Sequence, residues 1–498
     1  MVITNHRDLC PFECRLGLLY CTIHFPGRFT STYDFMKKYF ITLFIAFTFS
    51  FTNAQQITGS WNGALKIPSG QINIIFNIGN EDGNYQVAMD IPTQNVKGMK
   101  AGSATLDEKK VTVNFEMIKS VYVGELSSDS TITGEWQQNG FKFPLVFSRN
   151  VSGNTGPKRP QTPQQPCPYS EKKVRFENRK AEVTLGGTLT IPHGNGSFPA
   201  VVLVSGSGPQ NRDSELFGHK PFAVIADYLS RNGIAVLRYD DRGVGTSTGD
   251  FAKATTYDFA EDAAAALEYL RKEDKVRHSK VGLIGHSEGG LVGPIVASGK
   301  DRPDFLVLLA APGMEIDELM LEQIRLTSES SGASQEMLKL SDDTNRKVYA
   351  LIKGGPMTDS TRKKIEEVYV AHLTALGKGT MDENTIRKQA QQLTEKTVSS
   401  WFVAFMNHKP KDYLAKITGS VLALNGSKDL QVPAKQNLEG MREILGKNKK
   451  VELTAQELPG LNHLFQTANT GSVSEYGEIE ETFSPVALKI ISDWILLR

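Results

Sequence analysis

The strongest chemical signal in the sequence is Ser287, which stands between Gly285 and Gly289 in the spacing G-x-S-x-G. This spacing is typical of a serine nucleophile on a sharp strand-to-helix turn, which lifts the hydroxyl out of a sheet. A strand-like apolar run covers residues 281–284, and a helix-compatible run covers residues 291–298. The motif thus has the context that it requires and predicts that Ser287 is a nucleophile. The alternative is a glycine-rich turn without chemistry.

A serine nucleophile needs a general base, and three histidines lie well after it: His372, His408 and His463. His372 falls in a helix-like pattern, and His408 stands beside a Lys-Pro pair. His463 follows a strand-like run, residues 451–458, in a loop that can deliver an imidazole to a serine. We therefore predict that His463 is the base, against the alternative of a surface-loop histidine.

The acid that orients the base is expected between the serine and the histidine in the chain. Asp429 comes just after a strand-like run that begins at Val421, whereas its rival Asp412 comes before that run. A carboxylate at Asp429 would accept the imidazole N–H, fix the tautomer and stabilise the imidazolium. The competing interpretation of Asp429 is a residue that stabilises a turn.

An acyl-transfer site also needs two N–H donors for the oxyanion. One is the backbone N–H of Glu288, the residue after the nucleophile, and the other comes from the loop after an early strand. That loop is the stretch 205–213, in which Ser207 is the candidate donor. The alternative for this stretch is a plain glycine-rich turn.

Other chemistries lack their motifs. The sequence contains no H-E-x-x-H and no C-x-x-C, so no metal site is predicted. The dinucleotide fingerprint that starts at Gly206 is not completed at Asn211, and Gly299-Lys300 lacks the remaining residues of a phosphate-binding loop.

The elements that would position these residues begin at about residue 171, where strand-like and helix-like runs alternate. This alternation predicts a mainly parallel sheet with helices on both faces. It is interrupted over residues 314–415, a helix-like stretch that we interpret as a lid or, alternatively, as a separate helical domain. Four apolar residues near its end are candidates for an acyl pocket or for packing within the insertion: Trp401, Phe402, Phe405 and Met406.

The chain before this region divides into three parts. Residues 55–149 contain short strand-like runs between turn signals, which predicts an all-β domain. Residues 150–170 form a proline-rich linker, and the domain with the candidate site extends over 171–498. The turn 239–247 follows a strand and is expected to be structural rather than catalytic.

The first 54 residues have the features of a targeting segment rather than of a folded domain. Residues 36–38 supply a basic start, 39–51 a short apolar core and 52–54 a small-residue exit before Gln55, which is typical of a secretory signal peptide. We interpret residues 1–35 as a non-native upstream extension. We expect an exported, periplasmic or secreted protein that keeps one cysteine, Cys167, and no stable membrane span after processing.

Together these motifs resemble the α/β-hydrolase superfamily, and within it exported bacterial esterase-like or serine aminopeptidase-type hydrolases with an N-terminal β-domain. The resemblance covers about 171–498 and rests on Ser-Gly-Ser-Gly-Pro-Gln-Asn-Arg-Asp, Asp-Arg-Gly-x-Gly, Gly-His-Ser-Glu-Gly-Gly, Gly-Ser-Lys-Asp and Asn-His. It implies an α/β-hydrolase fold with a helical lid, no cofactor, and the roles of nucleophile, acid and base for Ser287, Asp429 and His463. Relatives often begin the oxyanion loop with His-Gly, where this chain has Ser205-Gly206.

We therefore expect a serine hydrolase that cleaves small or medium acyl esters. The alternatives are a peptidase or aminopeptidase acting on short peptides and a non-catalytic ligand-binding protein on the same fold. The 56 basic and 55 acidic residues nearly cancel, which gives no reason to expect a nucleic-acid partner. The expected partner is a small-molecule ester or a short peptide, and the sequence does not indicate an oligomeric state.

Overall fold

The computed structural model describes residues 57–67, 70–81, 84–91, 96–138, 141–149, 157–377 and 381–498. The predicted signal peptide at 36–54 and the extension at 1–35 lie outside these ranges. So does the part of the predicted linker at 150–156.

The N-terminal domain is a single antiparallel sheet of nine strands in the order β4-β3-β2-β1-β9-β8-β7-β6-β5. The connection between β4 and β5 joins the two edges, since Ala101 donates its N–H to Val87 of β3 and Gly102 donates to Asn114 of β6. The sheet is thus curled on itself. The strands are β1 Gly59–Ile67, β2 Gly70–Glu81, β3 Asn84–Ile91, β4 Val96–Lys100, β5 Ser103–Asp107, β6 Lys110–Phe115, β7 Ser120–Ser128, β8 Thr131–Gln138 and β9 Phe141–Arg149.

Alternation of apolar and polar residues explains this sheet. In β6, for example, Val111, Val113 and Phe115 are buried while the residues between them are not. The inward side chains form an aromatic core in which Phe76 stacks on Phe147 with ring centroids 4.2 Å apart. The interior is filled by the domain's own side chains, which accords with the predicted all-β domain.

The second domain contains an eight-stranded sheet in the order β10-β11-β13-β12-β14-β15-β16-β17. β10 pairs antiparallel with β11, and β11 pairs antiparallel with β13, whereas all pairs from β13 through β12 to β17 are parallel. β15 is buried at every residue, as a strand covered on both faces requires. The strands are β10 Tyr169–Asn178, β11 Val183–Pro192, β12 Phe198–Val204, β13 Ala235–Tyr239, β14 Val276–His286, β15 Phe305–Leu309, β16 Gly419–Gly426 and β17 Val451–Leu458.

Helices cover both faces of this sheet. One apolar cluster packs α2 Thr256–Leu270, α3 Gly289–Ala297 and α10 Ala434–Leu445 on one face. A second packs α1 Pro221–Arg231 and α11 Pro485–Leu496 on the other. The predicted fold class, a mainly parallel sheet between helices, is confirmed.

Helices also form the predicted insertion, which lies between β15 and β16. Its apolar cluster includes Leu291 of α3, so the insertion packs beside the helix that follows the candidate nucleophile. Among the described helices, none is both long and apolar enough to cross a bilayer. The helices of the insertion are α4 Ile316–Ser330, α5 Gln335–Lys353, α6 Asp359–Gly377, α7 Glu383–Thr397, α8 Ser400–Asn407 and α9 Pro410–Leu414.

Candidate active site

Ser287 lies on the predicted turn, between the last residue of β14 and the start of α3. Its backbone φ is +55°, a conformation that residues other than glycine rarely adopt and that costs free energy. Two hydrogen bonds hold the turn: the Ser287 N–H donates to the Leu309 oxygen at 2.9 Å, and the Ser287 carbonyl accepts from the Gly290 N–H at 2.8 Å. The fold therefore maintains the strained geometry that presents a serine hydroxyl above a sheet.

The glycines of the motif are sterically required. A Cβ on Gly289 would lie 2.3 Å from the Val204 oxygen, and one on Gly290 would lie 2.2 Å from the Ala311 Cβ. Gly285 is equally constrained, because its Cβ would lie 2.0 Å from the Gly289 oxygen. The absence of these side chains lets α3 approach β12 and β15 closely enough to form the turn.

Asp429 and His463 lie within hydrogen-bond distance of each other, although 34 positions separate them in the chain. The Asp429 Oδ2 accepts from His463 Nδ1 at 2.8 Å, and both side chains are buried. The other carboxylate oxygen accepts from the N–H groups of Gln431 and Val432, each at 2.8 Å. Because Nδ1 donates to the carboxylate, Nε2 is left as the proton acceptor.

His286 brings this pair to the nucleophile turn, and the sequence analysis missed it. Its Nε2 donates to the His463 carbonyl oxygen at 2.9 Å, and the two imidazole centroids are 4.9 Å apart. Burial, and to a lesser extent the neighbouring His463, lowers the pKa of His286 to about 3, so the ring stays neutral. The only available signal was its place beside the serine in the motif, which does not reveal a partner 177 positions away.

The two candidate oxyanion donors come from two segments: Glu288 from the turn at Ser287, and Ser207 from the loop 205–213. Gly206 precedes Ser207, and a Cβ on Gly206 would lie 3.0 Å from the Ser287 Cβ, so the loop passes directly over the nucleophile. Within the described part of the chain, neither the Ser207 N–H nor the Glu288 N–H donates to a protein acceptor. Free N–H groups beside a serine are what an oxyanion hole requires, although their role remains a prediction.

The turn 239–247, which the sequence assigned to structure, holds that loop in place. The Asp241 carboxylate accepts from the Ser205 Oγ at 3.0 Å and from the Gln210 N–H at 2.9 Å. Its neighbour Asp240 accepts from both the N–H and the guanidinium of Arg212. Two adjacent carboxylates therefore fix both ends of the candidate oxyanion loop.

The Glu288 side chain turns away from the serine into the protein. Its Oε1 accepts from the Thr256 Oγ at 2.6 Å and from the Trp401 Nε1 at 2.8 Å. Its Oε2 is buried and lacks a hydrogen-bond partner among the described residues. Trp401 belongs to α8, so the insertion bonds directly to the residue that follows the nucleophile. Phe402 packs against the insertion's apolar core, in which Phe405 and Met406 are buried.

Two buried carboxyl groups near the turn at Ser287, those of Asp241 and Glu288, have raised pKa values. Burial, together with repulsion from Glu288 and Asp262, raises the pKa of Asp241 to about 7 despite its hydrogen bonds. Burial also raises the pKa of Glu288. Both residues line a cavity of about 10 Å³, which has room for roughly one water molecule.

The residues that competed for roles lie elsewhere. His372 contacts Thr344 within the insertion. His408 approaches the Tyr257 hydroxyl, and Asp412 is exposed in α9. Within the described ranges there is no group of three or more His, Cys, Asp or Glu side chains placed to hold a metal ion.

Comparison with known proteins finds similarities for this region. A family model described as "Serine aminopeptidase, S33" matches residues 219–464. Esterase EstD of Thermotoga maritima is 35% identical over 175 residues, which are 34% of this chain and 42% of that protein. An uncharacterized 31.7 kDa protein of Escherichia coli is 25% identical over 118 residues, 24% of this chain and 38% of that protein. The chain thus spans about two fifths of the length of these curated relatives.

The solved structures that match this chain are more distant in sequence. The Pyrococcus furiosus esterase Pf2001 is 16% identical with a TM-score of 0.40, and the match covers 70% of this chain and 99% of that chain. Est1E of Butyrivibrio proteoclasticus with bound ferulic acid is also 16% identical, with a TM-score of 0.36, and covers 65% and 96%.

Proposed function

We propose that the second domain of this chain is a member of the α/β-hydrolase superfamily and that the protein is a serine hydrolase of small or medium acyl esters. The family model that matches residues 219–464 supports the first part of this proposal. The observation that carries the proposal is the buried Asp429–His463 pair, with its 2.8 Å hydrogen bond, beside the strained turn at Ser287. The similarity to an esterase supports it.

The proposed reaction gives each of these groups one role. His463 Nε2 takes the proton of the Ser287 hydroxyl as its oxygen attacks the ester carbonyl. The N–H groups of Ser207 and Glu288 stabilise the negative charge on the carbonyl oxygen, while Asp429 stabilises the imidazolium. The imidazolium then protonates the leaving alcohol, which departs as the acyl-enzyme forms. A water molecule, deprotonated by His463, releases the acid and regenerates the serine.

A peptidase is the second candidate, because the matching family model is described as a serine aminopeptidase. Recognition of a peptide N-terminus would need an acidic side chain open to the substrate. Glu288 does not meet this need, since it is buried and one of its oxygens already accepts two hydrogen bonds. This geometry favours the ester substrate over the peptide.

The deciding experiment measures hydrolysis of p-nitrophenyl esters of graded acyl length by the chain beginning at Gln55. We expect Ser287→Ala and His463→Ala each to lower kcat by about 10⁶-fold, because the first change removes the nucleophile and the second removes its base. Exposed Ser331 and His278 supply the matched controls, Ser331→Ala and His278→Ala, which should retain full activity.

Three results would contradict the proposal. Undiminished ester hydrolysis in Ser287→Ala would remove the serine mechanism. A higher kcat/KM on aminoacyl p-nitroanilides than on every ester would favour the peptidase. A protein that turns over neither and ignores a fluorophosphonate would be a ligand-binding protein on a hydrolase fold.

We further propose that the protein is exported and that the helical insertion acts as a lid. The export proposal rests on the signal-like residues 36–54 and is tested by N-terminal sequencing of the protein recovered outside the cytoplasm. A first residue of Gln55 would support it, and a mature chain that retains residues 36–54 would oppose it.

A further inference from the structure

The end of the proline-rich linker is bound to the hydrolase domain by specific side chains. We call residues 157–168 the strap. Arg159, which is partly buried, donates from its guanidinium to three carbonyl oxygens: those of Gly477 at 2.6 Å, Ile479 at 2.9 Å and Phe217 at 3.0 Å. A passive tether between domains would not need a guanidinium that satisfies three backbone carbonyls.

Gln161 binds the same part of the hydrolase domain two residues later. Its side-chain oxygen accepts from the N–H groups of Thr482 and Phe483, and its Nε2 donates to the Phe483 oxygen at 2.7 Å. The amide side chain thus pairs with the backbone as a neighbouring strand would. Arg159 and Gln161 together hold residues 476–483, which we call the anchor segment.

The anchor segment reaches the candidate acid. The Tyr476 hydroxyl accepts from the Gln431 Nε2 at 3.1 Å. The backbone N–H of the same Gln431 donates to the Asp429 carboxylate at 2.8 Å. A displacement of Tyr476 therefore acts on a residue that orients Asp429 directly.

The anchor segment also reaches the loop of the candidate base. The buried His219 ring forms a hydrogen bond through Nδ1 with the Thr482 hydroxyl at 2.8 Å. Its Nε2 forms another with the backbone carbonyl oxygen of Tyr476 at 2.9 Å. The side-chain Nε2 of Gln466 donates to the backbone carbonyl oxygens of Tyr476 and Glu481. The backbone N–H of Gln466 donates to the side-chain oxygen of Asn462, which precedes His463. All of these contacts except the one to Glu481 are buried, and a displacement of the anchor segment would therefore shift the loop that carries His463.

We propose that the strap is a positioning element for catalysis: Arg159 and Gln161 hold the anchor segment and thereby keep Asp429 and His463 in register with Ser287. The proposal rests on the proposed serine hydrolase function. Both residues act through other groups, so they are positioning residues.

The test uses the full mature chain with Arg159→Met, Gln161→Ala and the double variant. Lys158→Met removes a positive charge from the neighbouring exposed residue, and Gln164→Ala removes an exposed amide of the same strap, so these two are the matched controls. The measurements are kcat and KM on a p-nitrophenyl ester and the rate of covalent inactivation by a fluorophosphonate. Active sites are counted by burst titration.

We expect the double variant to lose about tenfold in kcat per active site and in inactivation rate, since a misplacement of about 1 Å can cost up to about 10²-fold. KM should change less than about twofold, because none of the strap's described hydrogen bonds involves Ser287 or the loop 205–213. The controls should match the unaltered protein.

Each other outcome is decisive. If the unaltered protein fails to react with the fluorophosphonate, the proposed function fails first. If it reacts and the double variant reacts equally fast, the strap proposal is overturned. A loss explained by fewer titratable sites would indicate partial unfolding and would also overturn it. If the double variant does not fold, Gln161→Ala decides the matter, and an unchanged kcat there rejects the proposal.

Discussion

Replacing Asp241 with asparagine should stabilise the protein at alkaline pH. The carboxyl is almost wholly buried beside Glu288, and burial raises its pKa from 3.8 to about 7. In the unfolded chain the same group ionises near its ordinary pKa. Folding therefore keeps a proton that the unfolded chain releases between these values, and stability falls as the pH rises through this window.

The size of the effect follows from the shift. Each pKa unit corresponds to about 1.4 kcal/mol, so the full shift of about three units costs about 4 kcal/mol above pH 7. Between pH 5 and pH 8.5 about two of these units are titrated, which corresponds to about 3 kcal/mol. Asparagine carries no charge, so its variant should lack this part of the pH dependence.

The asparagine should also preserve the loop. Its side-chain oxygen can accept from the Gln210 N–H while its amide donates to the Ser205 Oγ, which replaces both bonds of Asp241. Ester hydrolysis should therefore stay within about threefold of the unaltered protein, as expected for a retained geometry. Alanine has neither group, so Asp241→Ala should release the loop and lower kcat.

The assay is guanidinium unfolding of both proteins at pH 5 and pH 8.5, analysed by linear extrapolation. The expected result is that the gain in unfolding free energy from Asp241→Asn is larger at pH 8.5 by about 3 kcal/mol. Exposed Asp301 provides the control, and Asp301→Asn should show no such difference. An equal gain at both pH values would refute the reasoning, because it would mean that Asp241 does not titrate in this window.

Three further changes probe the packing around the site. Arg242→Met leaves the buried Asp262 without its ion pair and should cost about 3–5 kcal/mol in guanidinium unfolding at neutral pH. Trp401→Phe removes the donor to Glu288 and should cost about 1–2 kcal/mol, with a changed preference for acyl length on p-nitrophenyl esters. Gly206→Ala places a methyl group 3.0 Å from the nucleophile's Cβ and should lower kcat more than stability, as ester kinetics and thermal unfolding together would show.

Different results would count against each of these. An unchanged unfolding midpoint in Arg242→Met would mean that the buried carboxylate is protonated or solvated. Unaltered stability and acyl preference in Trp401→Phe would separate the insertion from the catalytic turn. Full activity in Gly206→Ala would show that the oxyanion loop moves away without consequence.

The sequence alone predicted the parts of this site that depend on local structure and chain order. The glycines around Ser287 signal a turn because only residues without side chains fit between α3 and its neighbouring strands. The apolar runs predicted a parallel sheet, since strands covered on both faces lack polar positions. In such a sheet, loops after successive strands meet at one edge, which is why the order of Asp429 and His463 in the chain predicted that they lie near Ser287.

Tertiary structure decided what these residues touch. Nothing in the local sequence shows that His286 bonds to the loop of His463, that Trp401 reaches Glu288 across 113 positions, or that Arg159 contacts a segment about 320 positions away. Such partners are brought together when whole helices and strands pack against each other. The type of a polar residue therefore does not indicate which distant group it will contact. Burial is set in the same way, so the raised pKa of Asp241 is a property of the folded chain and not of its sequence neighbours.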